Sequence, residues 1–159
     1  MLDEDIWEHP EAISSPLLEK LGIKVLQADA AQSVARMPAE GNTQIAGLLH
    51  GGATAALAET VASVAASVHA ANLEKERFSR EEAARAANGE MDAGKARHLI
   101  AVGTELSISH LVAARTGTVT ATAASEHLGR RRTVHTVKVR NEEGRLLAVA
   151  QATNMIVEA

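Results

Sequence analysis

The spacing of apolar and polar residues predicts one long helix and an antiparallel sheet. Residues 53 to 69 form an alanine-rich run that is apolar on nearly every side, which is typical of a helix covered by other elements. Residues 22 to 37 alternate weakly and predict one or two strands. After residue 98, four β-branched runs separated by turn residues predict a four-stranded antiparallel meander. We therefore predict an α+β fold in a single domain covering residues 1–159, with the helix packed on the sheet.

Two segments lie outside this pattern. Residues 1–19 contain two of the three prolines and are expected to form an N-terminal extension, with regular structure beginning near residue 20. Residues 72–97 are rich in charge and are expected to form a charged helical excursion. Within it, Ser79 and Glu82 have the spacing of a capping box, which predicts a short surface helix near residues 80 to 87. The following Asn-Gly pair at 88 and 89 is a helix stop signal.

Composition excludes several classes of function. The chain has 16 Lys and Arg against 20 Asp and Glu, a net charge of -4, so we expect binding neither to nucleic acid nor to a membrane surface. It has no cysteine, which excludes disulfides, thiolate metal sites and thiol nucleophiles. The acidic N-terminus lacks the features of a signal peptide, and we expect a cytoplasmic protein. Residues 51 to 71 carry Glu59 and are interpreted as a core helix rather than a membrane span.

Common catalytic and phosphate-binding motifs are absent. The sequence has no G-x-S-x-G elbow, Walker lysine loop, G-x-G-x-x-G or H-E-x-x-H, so neither a serine triad of that type nor a phosphate loop is expected. Seven histidines are present, but their spacing does not match that of metal ligands. We predict neither a metal site nor a cofactor.

Candidate chemistry is concentrated around the start of the long helix. Gly51 and Gly52 lie at its expected N-terminus, where unpaired N–H groups and the helix dipole can stabilise a developing oxyanion, although a plain glycine N-cap has the same pattern. Glu59 is an acid within the apolar run and is predicted to be buried. A buried carboxylate requires a partner or a function. Ser63 is one turn further on, so the pair is either structural or catalytic.

The same segment resembles the hotdog-fold acyl-CoA thioesterases of the phenylacetate-pathway (PaaI-like) and 4-hydroxybenzoyl-CoA type. That family has an Asn or Gln, a Gly and a His-Gly-Gly before a long helix with an Asp or Glu and a following Ser or Thr. The matching residues here are Gln44, Gly47, His50, Gly51, Gly52, Glu59 and Ser63. A weaker likeness continues through the later strands. One departure is Ser109, which precedes a histidine where family members often have Asn.

The resemblance implies a hotdog domain, with the sheet wrapped around the helix and paired with a second subunit, and hydrolysis of an acyl-CoA thioester. The Gly51 N–H is expected to polarise the thioester carbonyl, assisted by Gln44 and His50. Glu59 is expected to act as nucleophile or as general base, with Ser63 assisting, and the sequence does not choose between these roles. Residues expected to bind the substrate or its CoA portion are Gly52, Thr60, Arg130, Arg131 and Arg132.

A geometric argument predicts that the site is shared between subunits. Glu59 follows Gly51 by eight positions, which places them roughly 12 Å apart along one helix. If both act on one thioester, they therefore come from two chains of a dimer. An apolar last strand and a core of small side chains further predict a tetramer.

The acyl group and some alternative functions stay open at this stage. Aryl-CoA substrates such as hydroxybenzoyl- or dihydroxynaphthoyl-CoA are favoured, with medium-chain or broad acyl-CoA activity as the alternative. Two other functions compatible with the fold are an acyl-thioester dehydratase and a non-catalytic acyl-CoA-binding protein. The dehydratase would need a different arrangement of His and acid, and the pairing of Glu59 with Ser63 favours the hydrolase over the non-catalytic protein.

Overall fold

The computed structural model describes residues 4–88 and 98–159. Two short 3-10 turns (Glu4–Glu8 and Pro10–Ala12) and helix α1 (Pro16–Leu21) precede the sheet. Ser15 caps α1, because its Oγ accepts a hydrogen bond from the Leu18 N–H at 3.4 Å, and Gly22 ends the helix with a φ of 67°. Regular structure therefore begins slightly before residue 20.

Six strands form one antiparallel sheet in the order β1-β2-β4-β5-β6-β3. The strands are β1 (Lys24–Gln27), β2 (Gln32–Pro38), β3 (Leu99–His110), β4 (Thr118–Leu128), β5 (Arg132–Asn141) and β6 (Leu146–Glu158). The predicted four-stranded meander is wrong in one connection: β4, β5 and β6 are consecutive neighbours, but β3 pairs with β6 at the edge of the sheet. Pairing between strands so far apart along the chain is not encoded in local periodicity.

Helix α2 (Gly51–Asn88) is one continuous helix of 38 residues. The prediction of a separate capped helix at residues 80 to 87 is wrong. Ser79 lies inside α2, where its Oγ donates to the Lys75 carbonyl at 3.0 Å instead of capping an N-terminus. Ion pairs one turn apart, such as Arg77 with Glu81 at 3.0 Å, add to the helical preference of this charged segment. Gly89, part of the predicted stop, and the rest of 89–97 lie outside the described residues.

The charged part of α2 is attached to one end of the sheet. The Glu74 carboxylate accepts a hydrogen bond from the Leu99 N–H at 3.0 Å, and the Arg77 guanidinium donates to Glu158 at 2.9 Å. These contacts join α2 to the first residue of β3 and to the last residue of β6. The segment is thus a continuation of the core helix.

Small side chains form most of the contact between α2 and the sheet. Leu57, Ala58, Val61 and Ala62 of the helix are fully buried, and the sheet meets them largely with alanine and valine. By length and composition the stretch Gly51–Arg85 is apolar enough to cross a membrane, but 56% of its most apolar window is buried inside the fold. That burial is typical of a core helix.

Candidate active site

The segment before α2 forms a tight loop that aims the helix N-terminus outward. The Gln44 N–H donates to the Leu48 carbonyl and the Gly47 N–H to the Gln44 carbonyl, both at 2.8 Å, and Gly47 adopts a left-handed φ of 72°. The Gln44 Oε1 accepts from the Ala46 N–H at 2.8 Å. Because Oε1 is engaged in this way, the Gln44 side chain presents its Nε2 as the available donor.

His50 caps the long helix. Its Nδ1 accepts a hydrogen bond from the Gly52 N–H at 2.8 Å, and its carbonyl accepts from the Thr54 N–H at 3.1 Å. The N–H of Gly52 is therefore occupied. The N–H groups of Gly51 and Ala53 meet no acceptor among the described residues, and Gly51 is the one of the two that lines the cavity described next, where its N–H can bind a substrate oxygen.

A cavity of about 330 Å³ opens beside this N–H. Its lining includes Gln44, Gly51, Thr54 and His110, together with apolar residues that follow β3. The His110 ring is so close that a Cβ on Gly51 would lie 3.1 Å from its Nε2. Glycine thus gives the ring access to the helix terminus. The sequence analysis predicted no role for His110. The one feature that could have indicated a role is its position at the end of a strand that resembles the family.

The carboxylate half of the predicted site lies two turns further along α2. Glu59 is exposed in the single chain, so the prediction that it is buried is wrong. Its Oε1 lies 2.9 Å from the position that a Cβ on Gly103 of β3 would occupy. Ser63 is half-buried, and its Oγ accepts a hydrogen bond from Asn154 Nδ2 of β6 at 3.2 Å.

One chain does not bring the two halves together. Gln44 and Gly51 line the cavity, whereas Glu59 and Ser63 are absent from its lining. Along the helix the rise from Gly51 to Glu59 is about 12 Å. Within the residues that the structure describes, no group of three His, Asp or Glu side chains could hold a metal ion, and the absence of a metal stays a prediction.

Comparison with known proteins assigns the family. Residues 46–148 match the thioesterase superfamily. The chain belongs to this superfamily.

Individual relatives agree with this assignment. The chain is 34% identical to ComA2 of Bacillus subtilis, which is named as an esterase, over 89% of this chain and 94% of the relative. It is 28% identical to the 1,4-dihydroxy-2-naphthoyl-CoA hydrolase of Listeria monocytogenes over 86% and 92%. A solved thioesterase of Staphylococcus aureus superposes with a TM-score of 0.66 at 30% identity over 89% and 98%. The hotdog fold and thioester hydrolysis are thereby confirmed.

The arginine cluster of this thioesterase lies at the Glu59 end of the sheet. Arg130 and Arg131 lie in the turn between β4 and β5, and Arg132 is the first residue of β5. All three are exposed and make no ion pair within the described parts of the chain. Arg132 pairs with Met155 in the register of β5 and β6, next to Asn154. By contrast, the cavity touches β6 at Leu147, roughly 25 Å away along the strand. Thr60, half-buried, follows Glu59 on the helix.

Proposed function

We propose that the thioesterase hydrolyses acyl-CoA thioesters in a site assembled from two subunits. The superfamily assignment supports the reaction, and the likeness to a 1,4-dihydroxy-2-naphthoyl-CoA hydrolase supports aryl-CoA substrates. Medium-chain or broad acyl-CoA activity is the alternative, and a panel of aryl- and alkyl-CoA esters distinguishes them. Because CoA is part of the substrate, we propose that the reaction needs no separate cofactor. We also propose a cytoplasmic location.

The observation that carries the proposal is that both halves of the site lie against the same edge strand. Glu59 contacts β3 at Gly103, and Gly51 contacts β3 at His110, seven residues later. β3 is the long outer strand of the sheet, and Ile100 and Val102 on it are 39% and 44% exposed. A long apolar edge of this kind invites pairing with another strand.

Antiparallel pairing of β3 with its copy would join the two halves. A two-fold axis at Ser107 places the Gly103 end of one strand beside the His110 end of the other. Each of the two resulting sites then has Gln44, Gly51 and His110 from one subunit and Glu59 and Ser63 from its partner. The same symmetry leaves both long helices on one face of the extended sheet.

The proposed chemistry follows from these groups. The Gly51 N–H binds the thioester carbonyl oxygen and stabilises its developing charge, with the Gln44 amide and the His110 ring beside it. His50 supports this N–H by capping the helix. Acting as general base, Glu59 takes a proton from water, whose oxygen attacks the carbonyl carbon. The C–S bond then breaks, and CoA leaves as a thiolate that is protonated.

A nucleophilic course uses the same residues. The Glu59 carboxylate attacks the carbonyl carbon and CoA leaves, giving a mixed anhydride that water hydrolyses to the free acid and the regenerated carboxylate. Crystal structures of the Staphylococcus aureus relative include variants with alanine in place of a glutamine and of a glutamate fifteen residues further along. Gln44 and Glu59 have the same spacing, which supports their selection here as a functional pair.

The exposed arginine cluster is the proposed contact for the CoA phosphates. Guanidinium groups bind phosphate oxygens through paired N–H donors, and the cluster lies at the Glu59 end of the sheet. Gly52 and Thr60 remain proposed substrate contacts next to Gly51 and Glu59. We also propose a tetramer, which would cover the outer face of the sheet where Met155 is 38% exposed.

Subunit exchange tests the shared site. One inactive chain carries Glu59→Gln, and a second carries Gln44→Ala together with Gly51→Pro. The proline removes the N–H donor, and a helix accepts proline at its first position. Each hybrid dimer then contains one site with both lesions and one site with none. Mixing is expected to restore up to about half of the wild-type activity per hybrid dimer.

Two controls make the exchange experiment decisive. Mass spectrometry establishes that hybrids have formed, and mixing each variant with itself establishes the background. If hybrids form and activity stays at background, the groups act within one chain and the shared site is wrong. If Glu59→Gln alone keeps near-normal turnover, Glu59 is not the acid of the reaction.

A further inference from the structure

We infer that Asn154 is a positioning residue for thioester hydrolysis, acting through Ser63. Asn154 lies on β6, outside the segment that resembles the family motif, and faces the long helix. Its side chain is 1% exposed, and its Nδ2 donates to the Ser63 Oγ at 3.2 Å. This inference rests on the proposed roles of Glu59 and Ser63.

The direction of this hydrogen bond fixes the orientation of the serine hydroxyl. Because Ser63 Oγ accepts from Asn154, the lone pair on that side is occupied and the Ser63 O–H points away from the amide. Ser63 is half-buried, and Glu59 lies one turn earlier on the open side of the same helix. In the inferred role, this leaves the hydroxyl proton available to the Glu59 carboxylate or to its attacking water.

The strand register places Asn154 beside the carboxylate. Asn154 is the direct partner of Gly103 in the pairing of β3 and β6. A Cβ on Gly103 would lie 2.9 Å from Glu59 Oε1 and 3.8 Å from Asn154 Nδ2. The Asn154 amide and the Glu59 carboxylate thus both lie next to Gly103. Ser63, which accepts the hydrogen bond from the amide, is the group through which Asn154 would affect the reaction.

Packing alone does not account for an asparagine at this position. Asn154 Oδ1 is buried and has no hydrogen-bond partner, a state that disfavours folding. A leucine of similar shape would fill the place without an unpaired oxygen. The unpaired oxygen lowers the free energy of unfolding, and this loss is explained if the N–H of the same amide orients a group that acts in the reaction.

A double-mutant cycle in the full-length protein tests the inference. Asn154→Leu is expected to lower kcat about tenfold with KM within about twofold of wild type, and Ser63→Ala to lower kcat about 10-fold to 100-fold. The double variant is expected to be no slower than Ser63→Ala alone, because the amide acts only through the hydroxyl. Thermal unfolding should show Asn154→Leu to be as stable as wild type or more stable.

Thr133→Val is the matched control. Thr133 is the cross-strand partner of Asn154 on β5, is fully buried, and has an unpartnered Oγ1. Its replacement removes a buried polar group from the same layer without touching Ser63, so kcat should not change. If the leucine variant does not fold, Asn154→Ala replaces it in the cycle.

The outcomes separate this inference from the proposed function. If Ser63→Ala lowers kcat and Asn154→Leu either has no effect or multiplies that loss, Asn154 does not act through Ser63. If Thr133→Val lowers kcat as much as Asn154→Leu, the effect comes from packing and the positioning role is wrong. If Ser63→Ala leaves kcat unchanged, the proposed role of Ser63 itself fails.

Discussion

An alanine at Gly103 is expected to slow the thioesterase without destabilising it. Gly103 is the residue at which β3 passes the Glu59 carboxylate, and a Cβ there would lie 2.9 Å from Oε1. Ordinary contact begins near 3.4 Å, so the carboxylate has to move by about half an ångström or more. The atom that moves is the end of a flexible side chain, and the backbone can stay where it is.

The size of the effect follows from this displacement. Misplacing a reacting group by about 1 Å can lower the rate about 100-fold, so the smaller shift forced here is expected to lower kcat about 10-fold to 100-fold. Gly103 has no positive φ, and alanine is favoured over glycine inside a strand by about 0.5–1 kcal/mol. The free energy of unfolding should therefore be unchanged or raised by up to about 1 kcal/mol.

The assay measures CoA release with a thiol reagent, to which the cysteine-free chain contributes no signal. Ser107→Ala is the control, since it adds no bulk on the same strand. Adding Glu59→Asp to Gly103→Ala should cost less than the product of the two single effects, because the shorter acid avoids the new methyl group. An unchanged kcat in Gly103→Ala, in a preparation where Glu59→Gln is inactive, would refute the assigned position of the carboxylate.

Three further predictions concern other parts of the molecule. Burial lowers the pKa of His135 below its ordinary 6.5. The contribution of the neutral His135 to the free energy of unfolding is therefore complete above pH 6.5 and is lost as the pH falls below that value. His135→Gln should flatten this loss, as measured by urea unfolding between about pH 5 and 8. Replacing Arg130, Arg131 and Arg132 together by Ala should raise KM for a CoA ester about tenfold, and equal effects on a pantetheine ester would exclude phosphate binding. Ser107→Cys should give a disulfide-linked dimer on oxidation, and a persistently monomeric product would argue against β3 pairing.

The sequence was sufficient for most features that depend on neighbouring residues. The start of the long helix, its apolar character and the β-branched strands all follow from local periodicity. Gly51, Glu59 and Ser63 were selected as candidates from their positions on that helix, and Gln44 was selected from the family resemblance; their catalytic roles stay predictions. The Gly51 N–H has no acceptor in the fold, as an oxyanion donor requires, and its role stays a prediction.

Long-range contacts account for most of what the sequence did not predict. β3 pairs with β6, just over fifty residues away at Gly103 and Asn154, so a meander built from neighbouring runs missed this edge. His110, which lines the cavity, and Asn154, which donates to Ser63, lie on those two strands, and neither is close in sequence to the motif. Ser79 and Glu82 matched a capping pattern, but a continuous helix formed because the residues before Ser79 are also helix formers.

The exposure of Glu59 changes the reason for finding an acid in an apolar helix. The apolar residues of α2 are those that face the sheet, whereas Glu59 lies on the open side beside the uncovered edge of β3. In one chain its charge stays in water and does not oppose folding. If a second subunit covers that edge, the free energy of removing the charge from water opposes association instead. A carboxylate placed in this way is compatible with a stable single chain and gains its reactive surroundings only when the dimer forms.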